Sequence, residues 1–237
     1  IPARYKSSRF PGKPLVDIAG RPMIAWVWEQ ANKAEEVDRV VLATDDSRIA
    51  DYCKANGIDV VMTSDRHMTG SDRIAEVATK IEADIYVNVQ GDEPLIDPAA
   101  IDKIARLLRE SCARGVEVAT AYLDGASEEQ MQSSSVCHLA TTLDGCVLTI
   151  SRYPIPYPMV ETIDRKIAVG LYGFSGAALA RFAAWERGPN ERAESIELLR
   201  FLEHGERIAC TSIPPGSIGV DRPEDVELVE AILRGRK

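Results

Sequence analysis

The sequence holds no apolar run close to the roughly 20 residues that span a bilayer, and no signal peptide is visible at its start. It is poor in cysteine. The five thiols, Cys53, Cys112, Cys137, Cys146 and Cys210, are odd in number, scattered and without C-x-x-C spacing. That pattern argues against a disulfide framework and predicts reduced thiols in a cytoplasmic protein. The three histidines, His67, His138 and His204, are dispersed, and none stands at a metal-ligand spacing, so a zinc site is not expected. An excess of positive charge is also missing. The net charge of −9 repels nucleic acid and anionic membrane, so neither is expected as a partner. Internal repeats and low-complexity segments are absent.

What is present suits one globular domain over residues 1–237. With 45% hydrophobic and 27% charged residues, the chain can bury a substantial core. The residues alternate between strand-like and helix-like patterns. Helices are predicted over 22–34, 47–56, 71–82, 98–113, 176–185, 193–204 and 223–234. Strands are predicted over 39–44, 59–62, 83–89, 117–122, 169–174 and 208–213. A hairpin with a D-G turn is expected from 138–142 and 146–150, and residues 127–135 read as a polar helix or loop. The stretches 151–158 and 159–166 read as a proline-rich extended loop and a charged, mobile segment. This alternation predicts an α/β fold, a mostly parallel central sheet flanked by helices, with a small β excursion in the second half. In such sheets ligands bind beyond the carboxyl ends of the strands, which singles out the loops 4–14, 44–46 and 90–94.

The first of these loops carries the strongest signal. Ile1-Pro2-Ala3-Arg4-Tyr5-Lys6-Ser7-Ser8-Arg9-Phe10-Pro11-Gly12-Lys13-Pro14-Leu15 opens as the end of a strand, so a few apolar residues are expected ahead of Ile1. It then runs into a loop with four cations, a glycine and two prolines. Such a loop suits a polyanion: glycine permits close backbone approach, and Arg and Lys supply charge where phosphates would sit. It fits neither G-x-x-x-x-G-K-S/T nor G-x-G-x-x-G. A plain basic surface loop is the competing reading.

The opening stretch, followed by Gly20-Arg21-Pro22-Met23-Ile24, resembles the 3-deoxy-manno-octulosonate (KDO) cytidylyltransferases. The resemblance continues in family order through Ala43-Thr44-Asp45-Asp46, Met62-Thr63, Thr69-Gly70-Ser71-Asp72-Arg73, Val87 to Pro94, Ser151-Arg152-Tyr153-Pro154-Ile155-Pro156, Gly170-Leu171-Tyr172 and Val220-Asp221-Arg222-Pro223-Glu224-Asp225. It covers nearly the whole chain. It implies a nucleotide-diphospho-sugar transferase-like fold. Residues of about 115–175 and 190–205 would contribute the sugar pocket and the contacts of a homodimer. It also implies a Mg²⁺-dependent enzyme that moves CMP from CTP to an acidic 3-deoxy sugar and releases pyrophosphate, for lipopolysaccharide or capsule synthesis.

Carried over residue by residue, the resemblance assigns the catalytic positions to Arg9, Lys13, Asp92 and Asp221. Ala3, Arg4, Arg9, Lys13, Ser71 and Arg73 would hold the nucleotide, and Asp92 and Asp221 the Mg²⁺. Two carboxylates with phosphate oxygens and water match the preferences of that ion. Gln90, Arg152, Tyr172 and Glu197 would line the sugar pocket, with Arg152 on the sugar's carboxylate, since a guanidinium pairs with carboxylates in bidentate fashion. Each has a structural alternative. Lys13 could be a solvated lysine, Asp221 a helix N-cap, Asp72 a helix-dipole charge, Arg152 a surface ion pair and Tyr172 a core side chain. Glu93 reads as an ion-pair residue and stays outside the metal set.

Three departures stand out. Ile167-Ala168 replaces the family's Lys-His, Glu197-Leu198 replaces Glu-Gln, and Val136-Cys137-His138-Leu139 replaces V-K-V-V. Ala168 and Leu198 thus stand where polar partners of the sugar are expected, so the acceptor is expected to be a KDO relative with fewer hydroxyls or a more apolar substituent. Another acidic acceptor, a nonulosonic acid or a phosphonate, stays open. So does a non-catalytic sugar-nucleotide binding protein, although Lys13, Asp92 and Asp221 would serve no purpose in one.

Overall fold

A computed structural model describes residues 1–237 except 7–9, 126, 128–129, 132, 134, 158, 160–164, 217 and 236–237. In chain order the elements are β1 (Pro2–Ala3), a single 3₁₀ turn (Lys13–Leu15), β2 (Asp17–Ile18), β3 (Arg21–Pro22), α1 (Met23–Ala31), β4 (Leu42–Thr44) and α2 (Ser47–Ala55). Then come β5 (Val60–Met62), α3 (Gly70–Ala78), β6 (Ile85–Val89), α4 (Pro98–Cys112), β7 (Val118–Asp124), β8 (Cys137–Thr141) and β9 (Val147–Ser151). The chain ends with β10 (Lys166–Ser175), α5 (Gly176–Ala184), α6 (Pro189–Glu194), α7 (Leu199–Glu203), β11 (Ala209–Ser212) and α8 (Pro223–Gly235). The α/β class read from the sequence is the class observed.

The chain divides into two compact units. The first is built from residues 1–81, 88–102 and 216–237. Its parallel sheet has the order β1-β4-β5, with Pro2 opposite Ala43 and Leu42 opposite Val60. Helix α1 buries Met23, Ile24, Ala25, Val27 and Ala31. Ile18, Met23, Leu95, Val220 and Val229 form one core cluster that ties the last helix to the start of the chain. The strand expected over 39–44 is shorter, Leu42–Thr44, and Arg39 ahead of it pairs with Asp59 (Nε to Oδ2 2.7 Å).

The second unit comprises residues 82–87 and 103–215. Its mixed sheet runs β11-β7-β10-β8-β9, and β6 also pairs with β10. The expected hairpin is present as β8 and β9, with Gly145 at φ 79° in its turn. Strand β10 begins at Lys166, three residues before the expected start. There Lys166 faces Asp124 across the ladder and lies over the Tyr122 ring (5.2 Å), so its charge is satisfied within the sheet. The helix expected over 193–204 is broken. Ser195 takes a left-handed conformation (φ 54°) between α6 and α7. The two short helices are clamped by a buried bidentate pair, Arg200 Nε to Glu191 Oε2 at 2.7 Å and Nη2 to Oε1 at 2.8 Å. The segments expected at 127–135 and 159–166 fall in part outside the described residues.

All five cysteines are unbridged, as expected of reduced thiols. Among the described residues no helix is long and apolar enough to cross a membrane.

His138 on β8 is fully buried (0% exposed), and neither ring nitrogen has a hydrogen-bond partner among the described residues. Burial, and secondarily the charge of Arg165, pushes its pKa below the ordinary 6.5. The neutral ring is therefore favoured in the fold. The associated stability is complete above the unfolded value near 6.5 and falls as pH drops below it, because the unfolded chain takes up a proton that the native state resists. His138→Val is expected to raise the melting temperature by removing two unsatisfied nitrogens, each worth about 1–3 kcal/mol, less a smaller cavity term. It should also flatten the loss of stability below pH 6.5. Thermal melts across that range check this, and an unchanged acid limb would refute it.

Candidate active site

The nucleotide-side residues converge within the first unit. A cavity of about 200 Å³ is walled by Pro2, Ala3 and Arg4 from β1 and its following loop, and by Lys13 and Pro14. His67, Met68, Thr69, Gly70 and Arg73 close a second side, and Gln90, Gly91, Asp92 and Asp221 a third. Of the expected nucleotide residues, Ala3, Arg4, Lys13 and Arg73 are in this wall. Ser71 is fully buried on α3 and does not line it. Arg9 lies outside the described residues.

Lys13 is set by its backbone. Gly12 holds φ 74°, a left-handed conformation that side chains rarely adopt, and a Cβ there would come within 3.0 Å of the Tyr5 hydroxyl. The Tyr5 ring also carries the Arg48 guanidinium at 3.3 Å. From this turn the Lys13 ammonium reaches Asp92 Oδ2 at 2.7 Å and Asp221 Oδ1 at 3.4 Å. Its side chain is 14% exposed, so the charge is held in place rather than solvated.

The two aspartates meet through main-chain contacts. Asp92 follows β6 at Gly91, where a Cβ would lie 2.6 Å from the Pro2 carbonyl oxygen. The absence of a side chain is what lets this loop press against β1. The Val220 N–H donates to the Asp92 carbonyl (2.9 Å), which brings Asp221 alongside. Asp225, in the first turn of α8, reaches back so that its Oδ2 accepts from the N–H groups of Asp221 and Arg222 at 2.8 Å each, and the Asp221 carboxylate meets the Lys13 ammonium. Two carboxylates that already converge on one ammonium can share a divalent cation, and Mg²⁺, which keeps waters and phosphate oxygens in its shell, fits a site with only two protein acids.

Arg73 is 3% exposed and braced by Thr63 Oγ1, the Ser64 carbonyl (3.3 Å) and Asp45 Oδ1 (3.5 Å). Burial lowers its pKa and Asp45 opposes that shift. It is the fourth residue of α3, whose N-cap Thr69 forms a capping box with Asp72. Asp72 is thus a capping residue, more than a dipole charge. His67 was not anticipated as a cavity residue. Its Nε2 lies 2.5 Å from Glu76 Oε2. Burial would raise Glu76, but hydrogen bonds from Lys80, the Ser64 N–H and His67 outweigh it and hold the carboxyl at about 2. Thr69-x-x-Asp72 is legible as a capping signature; nothing in the sequence marks His67 or the buried Asn88 behind Gly70.

The expected sugar residues other than Gln90 lie in the second unit. Ala168 on β10 stands directly opposite Cys137 on β8 and Tyr122 on β7. Tyr172 is half-buried and meets Phe174 edge-on at 6.2 Å. Glu197 is buried, and Leu198, 1% exposed, packs in the core at the start of α7. Arg152 is engaged by Glu194.

A model of the cytidylyltransferase family matches residues 1–208. The 3-deoxy-manno-octulosonate cytidylyltransferase of Pseudomonas syringae pv. tomato is 41% identical, with 98% of this chain and 96% of that protein covered. The enzyme of the same name from Geobacter sulfurreducens is 44% identical, with 97% and 96% covered. A solved structure of CMP:2-keto-3-deoxy-manno-octonic acid synthetase complexed with CTP superposes with a TM-score of 0.94 at 37% identity, covering 100% of this chain and 97% of that one.

Proposed function

The chain belongs to the cytidylyltransferase family, and from that membership we propose that it transfers CMP from CTP to 3-deoxy-manno-octulosonate or a close acidic relative, releasing pyrophosphate. The observation that carries this reading is Lys13 seated between Asp92 and Asp221 in a cavity that also presents Arg4 and Arg73. A hydroxyl of the sugar attacks the α-phosphorus, forms a new P–O bond and gives up its proton to water. The bond from that phosphorus to the β-phosphate oxygen breaks, and pyrophosphate departs. The protein's part is to align the two reactants and neutralise charge. Arg4 and Lys13 offset the triphosphate, Arg73 shapes the wall, and Arg152 pairs with the sugar's carboxylate. Asp92 and Asp221 would hold Mg²⁺, which when bound neutralises charge on the phosphates. A non-catalytic nucleotide binder has no use for two converging acids.

We infer a homodimer acting in the cytoplasm, with a product destined for lipopolysaccharide or capsule. The activity test is incubation with CTP, Mg²⁺ and candidate acidic sugars, reading pyrophosphate. No release with any acceptor would leave only the binding role. Lys13→Ala is expected to raise the KM for CTP and lower kcat while the sugar KM stays close to its original value, because a point charge on the phosphates is removed. Should only the sugar KM move, Lys13 serves the other substrate.

A further inference from the structure

Tyr5 does not line the cavity, yet the turn that delivers Lys13 closes on it. The Gly12 N–H donates to the Tyr5 carbonyl at 3.0 Å. The phenol end of the same residue lies against Gly12, 3.0 Å from where a Cβ would stand. The ring in turn carries the Arg48 guanidinium, 3.3 Å from its centroid. Arg48 is held by two bonds to one carboxylate, from Nε to Asp46 Oδ1 (2.8 Å) and from Nη2 to Oδ2 (2.6 Å). Asp46 is itself fixed. It caps α2 by accepting the Arg48 N–H (3.0 Å), and its own N–H donates to Thr44 Oγ1 (3.2 Å). Thr44 is fully buried on β4, directly opposite Ala3 of β1. A continuous line of contacts therefore runs from the sheet through Asp46, Arg48 and Tyr5 to Gly12, the residue before Lys13, all within the first unit.

We propose that Tyr5 and Arg48 are positioning residues for CTP, acting through Lys13. A lysine is a point charge on a flexible stem, so the backbone that carries it decides where the charge can go. Here that backbone is the left-handed Gly12, which has no side chain to brace the turn, and the Tyr5 ring fills the place beside it. The guanidinium attracts the ring through the ring's quadrupole. Because Asp46 already holds Arg48, the arginine gives up little further freedom in making that contact. With the turn braced, Lys13 keeps one placement as CTP comes and goes, and less freedom is lost on binding. The proposal rests on the reading of Lys13 as a ligand of the triphosphate.

Steady-state kinetics with CTP and 3-deoxy-manno-octulosonate on the full chain test both layers. Tyr5→Ala is expected to raise the CTP KM by about 10-fold and leave the acceptor KM in place. Tyr5→Phe keeps the ring and should return most of that loss. The Arg48 side chain is more than half exposed, so Arg48→Met covers the case in which Tyr5→Ala folds poorly. It should raise the CTP KM by about 3-fold, again without moving the acceptor KM. Adding Tyr5→Ala to Lys13→Ala should change the CTP KM little further, because the two act as one unit. If Lys13→Ala leaves the CTP KM alone, the reading of Lys13 fails and takes the proposal with it. If Lys13→Ala raises it but Tyr5→Ala and Arg48→Met do not, the reading stands and the positioning role is wrong. Additive losses in the double variant, or an acceptor KM that rises in step, would make Tyr5 and Arg48 a general packing element and also overturn it.

Discussion

Replacing Asp92 or Asp221 by asparagine is expected to cut turnover by about 10²-fold or more while the protein stays folded. The fold does not depend on either charge. The Asp92 and Asp221 side chains are 32% and 40% exposed, and the backbone contact between their segments runs from the Val220 N–H to the Asp92 carbonyl. Asp225 holds the backbone N–H groups of Asp221 and Arg222, contacts that the asparagine keeps. What changes is the charge that the two carboxylates present to a cation and to Lys13. Each variant keeps the shape and loses one negative charge, which weakens the grip on Mg²⁺ and shifts its requirement upward. Turnover against Mg²⁺ concentration, with thermal melts alongside, checks this. Near-normal Mg²⁺-dependent turnover in both variants would remove the metal assignment, and a collapsed melting transition would make the residues structural.

The second large effect concerns the acceptor. Unmodified 3-deoxy-manno-octulosonate is expected to be a poor substrate, with kcat/KM lower by roughly 10²-fold than a relative that lacks or caps a hydroxyl. Ala168 and Leu198 stand where the resembled family carries His and Gln, and if those side chains bind substrate hydroxyls, two hydrogen bonds of about 1–3 kcal/mol each are lost here. The strand register adds weight to this expectation. Ala168 faces Cys137 across the β8–β10 ladder, and the resembled family carries a lysine where Cys137 stands, so two facing positions have lost their polar groups together. Leu198 is a different case: at 1% exposure its side chain contributes to packing. Ala168→His with Leu198→Gln should recover activity on the unmodified sugar and reduce it on the preferred one. Ordinary kcat/KM with unmodified sugar, unimproved by the double change, would sink the altered-pocket idea and show that neighbouring groups supply the contacts.

The nucleotide side was largely legible in the sequence, and the reason is local chemistry. Gly12 and the cations of the first loop imply close backbone approach and anion binding; in the structure Gly12 takes a left-handed conformation (φ 74°), and a Cβ on Gly91 would run into the Pro2 carbonyl. The acceptor side was less legible. A left-handed Ser195 is not encoded in composition, so the break between α6 and α7 read as one helix. The tether from Glu194 to Arg152 depends on that break, because it needs a helix-end carbonyl 42 residues away in the chain. Nor does patterning show that Asp225 reaches back over the start of α8 to the N–H groups of Asp221 and Arg222.

The first unit is assembled from three stretches of chain, and the whole of 103–215 is made between the second and the third. Lys13 and Asp92 leave the ribosome early; Asp221, 208 residues after Lys13, leaves late. A nascent chain halted anywhere in 103–215 carries the ammonium and one carboxylate but cannot complete the pair. During vectorial synthesis the catalytic charge constellation therefore closes only after the intervening unit has been translated, and regain of turnover marks the arrival of the returning segment rather than the first appearance of secondary structure.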